Sequence, residues 1–193
     1  MKLSSILLFG APGAGKGTQG KVLGTLPGFM HCACGDVFRG LTADSPLGRV
    51  FLDYSSRGEL VPDEYTIQLW REAIEARIQT GTYRPDRDTL VLDGIPRNLN
   101  QARMLQDALE VKAVFYLTCA QRDKLILRMQ KRALRDNRLD DANYEVILQR
   151  LETYERETKP VLEFYGKPLV HEVDATRPPV SVLHGILEKL TEV

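Results

Sequence analysis

One stretch near the start of the chain, residues 10–18, constrains the fold more than any other. It reads Gly-Ala-Pro-Gly-Ala-Gly-Lys-Gly-Thr and follows the apolar run 6–9. A buried strand, a glycine-rich turn and a lysine that opens a helix form a phosphate-binding loop, because glycines let backbone N–H groups come close and the helix N-terminus adds positive charge. We therefore predict a strand over 6–9, a helix over 16–26 and a phosphate site between them. The alternative is an ordinary glycine turn at a helix start.

The residue after the loop lysine departs from the general motif. That motif places Ser or Thr directly after the lysine, where its hydroxyl binds Mg²⁺. Here Gly17 takes that position and Thr18 follows it. We therefore expect waters and a carboxylate elsewhere in the chain to hold the metal. The predicted phosphate-binding residues are Gly10, Gly13, Ala14, Gly15, Lys16, Gly17 and Thr18.

Length and composition exclude several classes of protein. The chain has 193 residues, a formal net charge of zero and three cysteines, Cys32, Cys34 and Cys119. This length suits a single domain, and zero net charge argues against a nucleic-acid groove or an anionic membrane surface. An odd cysteine count without an export signal argues against a disulfide framework, and no second ligand pair accompanies Cys32 and Cys34 at zinc spacing. We expect a cytoplasmic protein with no nucleic-acid or membrane partner.

Apolar runs alternate with helical stretches along the chain. Runs at 6–9, 31–34, 89–93, 113–117 and 169–173 predict five parallel strands, and helical patterns predict helices at 63–78, 99–109, 121–134, 143–165 (bent near Pro160) and 179–190. Near-continuous apolar strands indicate a sheet covered on both faces, so the fold class is α/β: a three-layer P-loop fold with right-handed crossovers. A helical stretch, 36–79, and a polar loop, 135–142, are interpreted as insertions into one domain, 1–193, at the sheet edge where ligands bind.

A second cluster, Asp93-Gly94-Ile95-Pro96-Arg97, follows the predicted strand 89–93. A carboxylate at that strand end faces the phosphate-binding loop and can hold Mg²⁺ through waters, because Mg²⁺ gives up its waters reluctantly. Gly94 and Pro96 force a turn that directs Arg97 into the same region. The alternative is a strand-end turn with a surface arginine.

A third set of residues is cationic. Arg128 and Arg132 share one face of a predicted helix, Arg138 follows in the polar loop, and Arg150 lies on the next helix. The alternative is that these arginines form a solvent-exposed surface of ordinary ion pairs. A transferring phosphoryl group, however, spreads negative charge over several oxygens, and arginine forks grip such oxygens in pairs. Asp140 and Asp141 lie between these arginines and can brace them.

These motifs, in this order, resemble the nucleoside monophosphate kinases, and above all the adenylate kinases. The resemblance extends from Ile6 to Leu190 and includes Cys34-Gly-Asp-Val-Phe-Arg39, the Arg-x-Asp-Asp of the polar loop and the Arg-Leu-Glu-x-Tyr at Arg150. It implies catalytic roles for Lys16, Asp93, Arg97, Arg132, Arg138 and Arg150, and donor ATP contacts that add Arg128 and Arg177 to the loop. It implies an acceptor AMP site formed by Cys34, Arg39, Leu60, Val61, Gly94, Arg97, Gln101, Arg138 and Arg150.

The resemblance also leaves alternatives open. Gln101 matches the glutamine that reads adenine in adenylate kinases, whereas Asn98 also occurs in kinases of pyrimidine monophosphates, and Cys34 and Ile95 depart from the usual threonine and aromatic residue. A UMP/CMP kinase is therefore the closest alternative, followed by a non-catalytic P-loop nucleotide binder. A GTPase-like switch lacks support because the chain has no Asn-Lys-x-Asp motif. By this resemblance the polar loop 135–142 is a short lid, which implies no structural zinc. We expect a monomer that uses Mg²⁺, ATP, AMP and ADP.

Overall fold

The computed structural model describes residues 2–136, 138 and 141–192, and its centre is one parallel sheet. Within these residues the sheet has five strands in the order β2-β3-β1-β4-β5, which confirms the predicted strand number and direction. The strands are β1 Leu3–Phe9, β2 Phe29–Ala33, β3 Thr89–Asp93, β4 Leu109–Thr118 and β5 Val170–Asp174.

Helices connect the strands, and most begin and end close to the predicted residues. The α-helices are α1 Lys16–Leu23, α2 Cys34–Arg39, α3 Pro46–Ser56, α4 Asp63–Gln79, α5 Leu99–Leu105, α6 Arg122–Asp136, α7 Tyr144–Thr153, α8 Val161–Tyr165 and α9 Pro179–Leu190. The predicted helix 99–109 was too long, because α5 ends at Leu105 and Leu109 pairs with Leu3 at the start of β4. None of the helices in the described ranges is long and apolar enough to cross a bilayer.

Alternate side chains of the strands pack on opposite faces of the sheet. Ile6 and Leu8 of β1 are buried with side chains of α1, α6, α7 and α9. Leu7 and Phe9 are buried on the other face with side chains of α2, α4, α5 and α8. Near-continuous apolar strands are what a sheet covered on both faces requires. The two apolar layers therefore confirm the predicted three-layer α/β architecture.

The long helical stretch after the lid is interrupted earlier than Pro160. A π-helix, Tyr154–Thr158, lies between α7 and α8. Its widened turn is closed by the Lys159 N–H, which donates to the Tyr154 carbonyl at 2.9 Å. Pro160 follows and has no N–H with which to continue an α-helical ladder. The predicted bend near Pro160 is thus a change of helix type that begins six residues before the proline.

Two leucines of similar chemistry and opposite burial test this core. Leu90 in β3 is 0% exposed and Leu134 in α6 is 90% exposed. We expect Leu90→Ala to lower the free energy of unfolding by about 2–5 kcal/mol, because it removes buried apolar surface and leaves a cavity. Leu134→Ala should change it by less than about 0.5 kcal/mol. Urea denaturation of both variants measures the difference, and similar losses would contradict this assignment of the core.

Candidate active site

A cleft of about 970 Å³ opens at the carboxyl ends of the strands. Its lining comes from the loop after β1, from α2, from the segment before α4, from the turn after β3, and from α6, α7 and the segment after β5. Every described residue of the predicted site except Asp141 lines this cleft. Asp140 lies outside the described residues. Residues far apart in the sequence are therefore brought together in one cavity, as predicted for a nucleotide site.

Three positions of the phosphate-binding loop have a backbone conformation that favours glycine. Gly10, Gly13 and Gly15 all have positive φ. A Cβ added to Gly10 would lie 2.7 Å from the Leu117 carbonyl oxygen, and one added to Gly13 would lie 2.7 Å from the Leu125 carbonyl oxygen. The loop is thus packed directly against the backbone of the β4 end and of α6.

Lys16 begins α1 and turns back over this loop. Its Nζ donates to the Gly10 carbonyl at 2.6 Å and to the Ala11 carbonyl at 3.2 Å. Loss of water around the ammonium lowers its pKa from 10.5 to about 8, although the Asp93 carboxylate opposes this shift. A poorly solvated ammonium beside backbone N–H groups is suited to bind phosphate oxygens.

Asp93 reaches the same loop from the neighbouring strand. The parallel register of β1 and β3 pairs Leu8 with Asp93, so the carboxylate lies where the loop begins. A Cβ built on Gly17 would lie 3.4 Å from Asp93 Oδ2. The carboxylate therefore faces the position where the general motif carries its metal-binding hydroxyl. A single carboxylate that leaves room for waters and phosphate oxygens has the donor chemistry that Mg²⁺ uses in nucleotide sites.

Three hydrogen bonds hold Arg97 in the turn after β3. Its Nε donates to the Gly94 carbonyl at 2.8 Å, and its backbone N–H donates to Gln101 Oε1 at 2.8 Å. Its carbonyl accepts from the Thr158 hydroxyl at 2.6 Å. The backbone and the inner part of the guanidinium are therefore fixed, while the side chain lines the cleft.

Gln101 is buried and takes part in a carboxylate-centred network. Its Nε2 donates to Asp63 Oδ1 at 2.8 Å, and Asp63 also accepts from Asn98 Nδ2 at 2.8 Å and Asn100 Nδ2 at 2.7 Å. Asn98 in turn caps α5, because its Oδ1 accepts a hydrogen bond from the Gln101 N–H at 2.8 Å. Since Arg97 occupies the Gln101 oxygen, the second N–H of Nε2 is the group that the amide can offer to a base. Sequence analysis assigned Asp63 only to the start of a helix and missed this network.

An ion-pair group lies between α2 and the lid. Arg39 Nη2 donates to Asp36 Oδ1 at 2.5 Å, and Arg138 Nη2 lies 3.4 Å from the same oxygen. Burial raises the pKa of Asp36, but the hydrogen bond from Arg39 and the nearby positive charges outweigh this effect and hold the pKa below its ordinary value. Two predicted phosphate-binding arginines are thus held by one ionised carboxylate. Cys34, beside them, is buried, and burial raises the pKa of its thiol to about 12, so that it is neutral.

Asp141 is a second carboxylate that holds two arginines. Its side chain is fully buried. Arg132 Nε donates to Oδ2 at 2.6 Å, and Arg150 Nη1 donates to Oδ1. Asp141 therefore lies behind the cleft wall and orients both guanidinium groups, which themselves line the cavity. The sequence suggested Asp141 as a brace for nearby arginines, and its contacts are with Arg132 and Arg150.

Arg128 joins the phosphate-binding loop to the segment after β5. Its Nη1 lies 3.5 Å from the Gly13 carbonyl, and its Nη2 donates to the Ala175 carbonyl at 2.9 Å. Arg177, two residues further on, is exposed and lines the cleft. The cationic side chains of the cleft include Lys16, Arg39, Arg97, Arg128, Arg132, Arg138, Arg150 and Arg177. Such a concentration of positive charge around glycine-rich backbone suits polyphosphate binding, and fold and site together define a P-loop phosphotransferase.

Comparison with known proteins gives the family. The sequence profile of the adenylate kinase family matches residues 8–169. Adenylate kinases of Cyanothece sp. and Thermobifida fusca are 37% and 36% identical to this chain, over 93% and 96% of its length and 91% and 97% of theirs. An adenylate kinase of Chlamydia trachomatis serovar L2 is 29% identical over 96% of the chain and 89% of its own length. The chain belongs to the adenylate kinase family.

The low pKa of Lys16 predicts a pH-dependent contribution to stability. Between about pH 8 and its ordinary pKa of 10.5, the unfolded chain keeps a proton at Lys16 that the folded chain has released. The free energy of unfolding therefore rises with pH in this window. The difference between the native protein and Lys16→Met should stay constant below pH 8 and then grow by up to about 1.4 kcal/mol per pH unit. Urea denaturation from pH 7 to 10 measures it; a constant difference throughout would show that the pKa is not lowered.

Proposed function

We propose that this protein catalyses reversible phosphoryl transfer from Mg·ATP to AMP, giving two ADP. One observation supports the proposal. The phosphate-binding loop, Arg97 and the two arginines that Asp141 contacts all line the same cleft. In the reaction an oxygen of the AMP phosphate forms a bond to the γ-phosphorus of ATP, and the bond from that phosphorus to the bridging oxygen of ADP breaks. The attacking oxygen is already anionic, so the protein needs no strong general base and acts by positioning and electrostatic stabilisation.

Each part of the cleft has its own task in this proposal. The loop backbone and Lys16 hold the donor phosphates, and Arg128 and Arg177 cover the donor base. Arg39 and Arg97 hold the AMP phosphate, with Cys34, Leu60, Val61, Gly94 and Gln101 around the acceptor nucleoside. Arg132, Arg138 and Arg150 stabilise the transferring group. Asp93 would hold Mg²⁺ through waters, and the ion would supply positive charge beside the donor phosphates.

Water must be kept from the transferring group, because it would otherwise hydrolyse ATP. Two predicted insertions border the cleft and can close it: the acceptor-binding segment 36–79 and the short lid 135–142. Arg138 of the lid already lies 3.4 Å from Asp36 of the acceptor segment. We propose that these two segments close over the bound nucleotides, and that the protein acts as a monomer in the cytoplasm without nucleic-acid or membrane partners.

Acceptor selectivity is the first test of this function. We expect AMP to be preferred over CMP, UMP and GMP by roughly a hundredfold in kcat/KM, because a buried amide left without its partner penalises the wrong base. Steady-state rates with Mg·ATP and each monophosphate measure the preference. A pyrimidine monophosphate as the best acceptor would favour the UMP/CMP kinase alternative, and no transfer to any of the four would favour a non-catalytic nucleotide binder.

Arg132 of α6 and Arg138 of the lid provide the second test. Arg132→Ala and Arg138→Ala should each lower kcat by roughly a thousandfold, the lower range for an arginine that stabilises transferring phosphate. Arg132→Ala should also lower the free energy of unfolding by about 1–3 kcal/mol, because the buried Asp141 loses one of its partners. Arg122→Ala is the control, because Arg122 is exposed and begins α6, the helix that also contains Arg132. Near-native kcat in both variants would show that neither arginine stabilises the transferring group.

A further inference from the structure

The backbone of Arg97 is held from two sides by side chains of different elements. On one side its N–H donates to Gln101 of α5. On the other side its carbonyl accepts a 2.6 Å hydrogen bond from the hydroxyl of Thr158, which is the last residue of the π-helix. Residues 97 and 158 are 61 positions apart in the sequence. This contact is therefore a tertiary one, made at the residue whose guanidinium is directed into the cleft.

The π-helix explains why Thr158 faces Arg97. Arg150 and Thr153 of α7 already face the cleft, where Arg150 pairs with Asp141 and the Thr153 hydroxyl donates to the Gly58 carbonyl at 3.3 Å. In an α-helix, a residue five positions after Thr153 would lie about 140° around the axis from it. In a π-helix the hydrogen bonds run from residue i to residue i+5 and the turn is wider, so Thr158 lies nearer to the side that Thr153 faces.

One continuous helical stretch thus contacts three separate parts of the site. Arg150 contacts the lid through Asp141, Thr153 contacts the segment before α4 through Gly58, and Thr158 contacts the turn after β3 through Arg97. Short π-helical turns inside helices often occur at functional sites. Here the π-helical turn places the Thr158 hydroxyl where it donates a hydrogen bond to the Arg97 carbonyl.

We propose that Thr158 is a positioning residue for Arg97, and that its hydroxyl sets the direction in which the guanidinium meets the phosphate of the acceptor nucleotide. This inference rests on the proposed function, in which Arg97 binds that phosphate. Without the Thr158 hydroxyl, Arg97 keeps its hydrogen bonds to Gln101 and to the Gly94 carbonyl but loses the one to its own carbonyl. The guanidinium then samples other directions, and acceptor binding weakens while donor binding at Lys16 does not change.

The experiment compares Thr158→Val, which keeps the shape and removes the hydroxyl, with Thr158→Ser, which keeps the hydroxyl. Thr191→Val is the matched control, because the Thr191 hydroxyl also donates to a carbonyl, at 2.7 Å, but on the exposed end of α9. For each variant we would measure KM and kcat for AMP and for ATP, the Kd for AMP by calorimetric titration, and thermal unfolding.

We expect Thr158→Val to raise the KM and Kd for AMP roughly fivefold, the effect of one lost hydrogen bond, with the KM for ATP within about twofold of native. Thr158→Ser and Thr191→Val should behave as the native protein. Unchanged AMP binding in Thr158→Val, or an equal rise in KM for both nucleotides, would overturn the inference. If Thr158→Val does not fold, Thr158→Ala takes its place in the same comparison.

The same measurements separate this inference from the proposed function. A native protein that transfers phosphate to AMP, together with a Thr158→Val variant that binds AMP normally, would refute only the role of Thr158. A native protein that binds no AMP would refute both.

Discussion

The phosphate-binding loop can occupy its position only because its glycines have no side chains. Gly10 and Gly13 lie so close to the carbonyls of Leu117 and Leu125 that a methyl group on either would overlap backbone oxygen. This contact fixes the loop against both β4 and α6. Since α6 also carries Arg128 and Arg132, the same contact sets the distance between the loop and these two arginines. The geometry of this part of the cleft therefore depends on two van der Waals contacts.

Electrostatic balance is the second organising feature of the cleft. Many guanidinium groups face one cavity, and their mutual repulsion would favour an open arrangement unless nearby acids opposed it. Asp141 is buried and pairs with two of them, and Asp36 contacts two more at the surface. The two carboxylates therefore have different surroundings. Asp141 is enclosed and serves as a fixed anchor, whereas Asp36 and the two arginines that it contacts are partly exposed to solvent.

Much of this architecture could be predicted from the sequence, because it depends on local patterns. Apolar runs determine strands, glycine spacing determines the loop, and the strand order then brings Asp93 beside Gly17. The side-chain network around Asp63 could not be predicted in this way. Asp63 and Gln101 are 38 positions apart and meet only because α4 and α5 pack together. Their polar residues have ordinary local explanations as helix caps and surface groups, so no periodicity distinguishes them.

Two features of the backbone, the end of α5 and the π-helix, could not be predicted from the sequence either. The apolar pattern after Asn98 continues through Leu109, yet Leu109 gains more from pairing in the sheet than from another helical turn, and burial there is nearly complete. Similarly, nothing in residues 154–158 specifies a π-helix by propensity. The wider turn is favoured by its surroundings, where Thr153 and Thr158 must both reach carbonyls across the cleft. Tertiary contacts overrode local preference in both places.

The π-helix also determines how the segment between Arg150 and Thr158 responds to a change in length. A π-helical turn holds one residue more than an α-helical turn. A deletion of one residue that closed the wide turn would place Thr158 four residues after Thr153, about 40° around the helix axis from it. Thr158 and the start of α8 would then still face the surfaces they cover. Among related sequences, a gap of one residue should accordingly be tolerated in this segment as readily as exchanges of side chain.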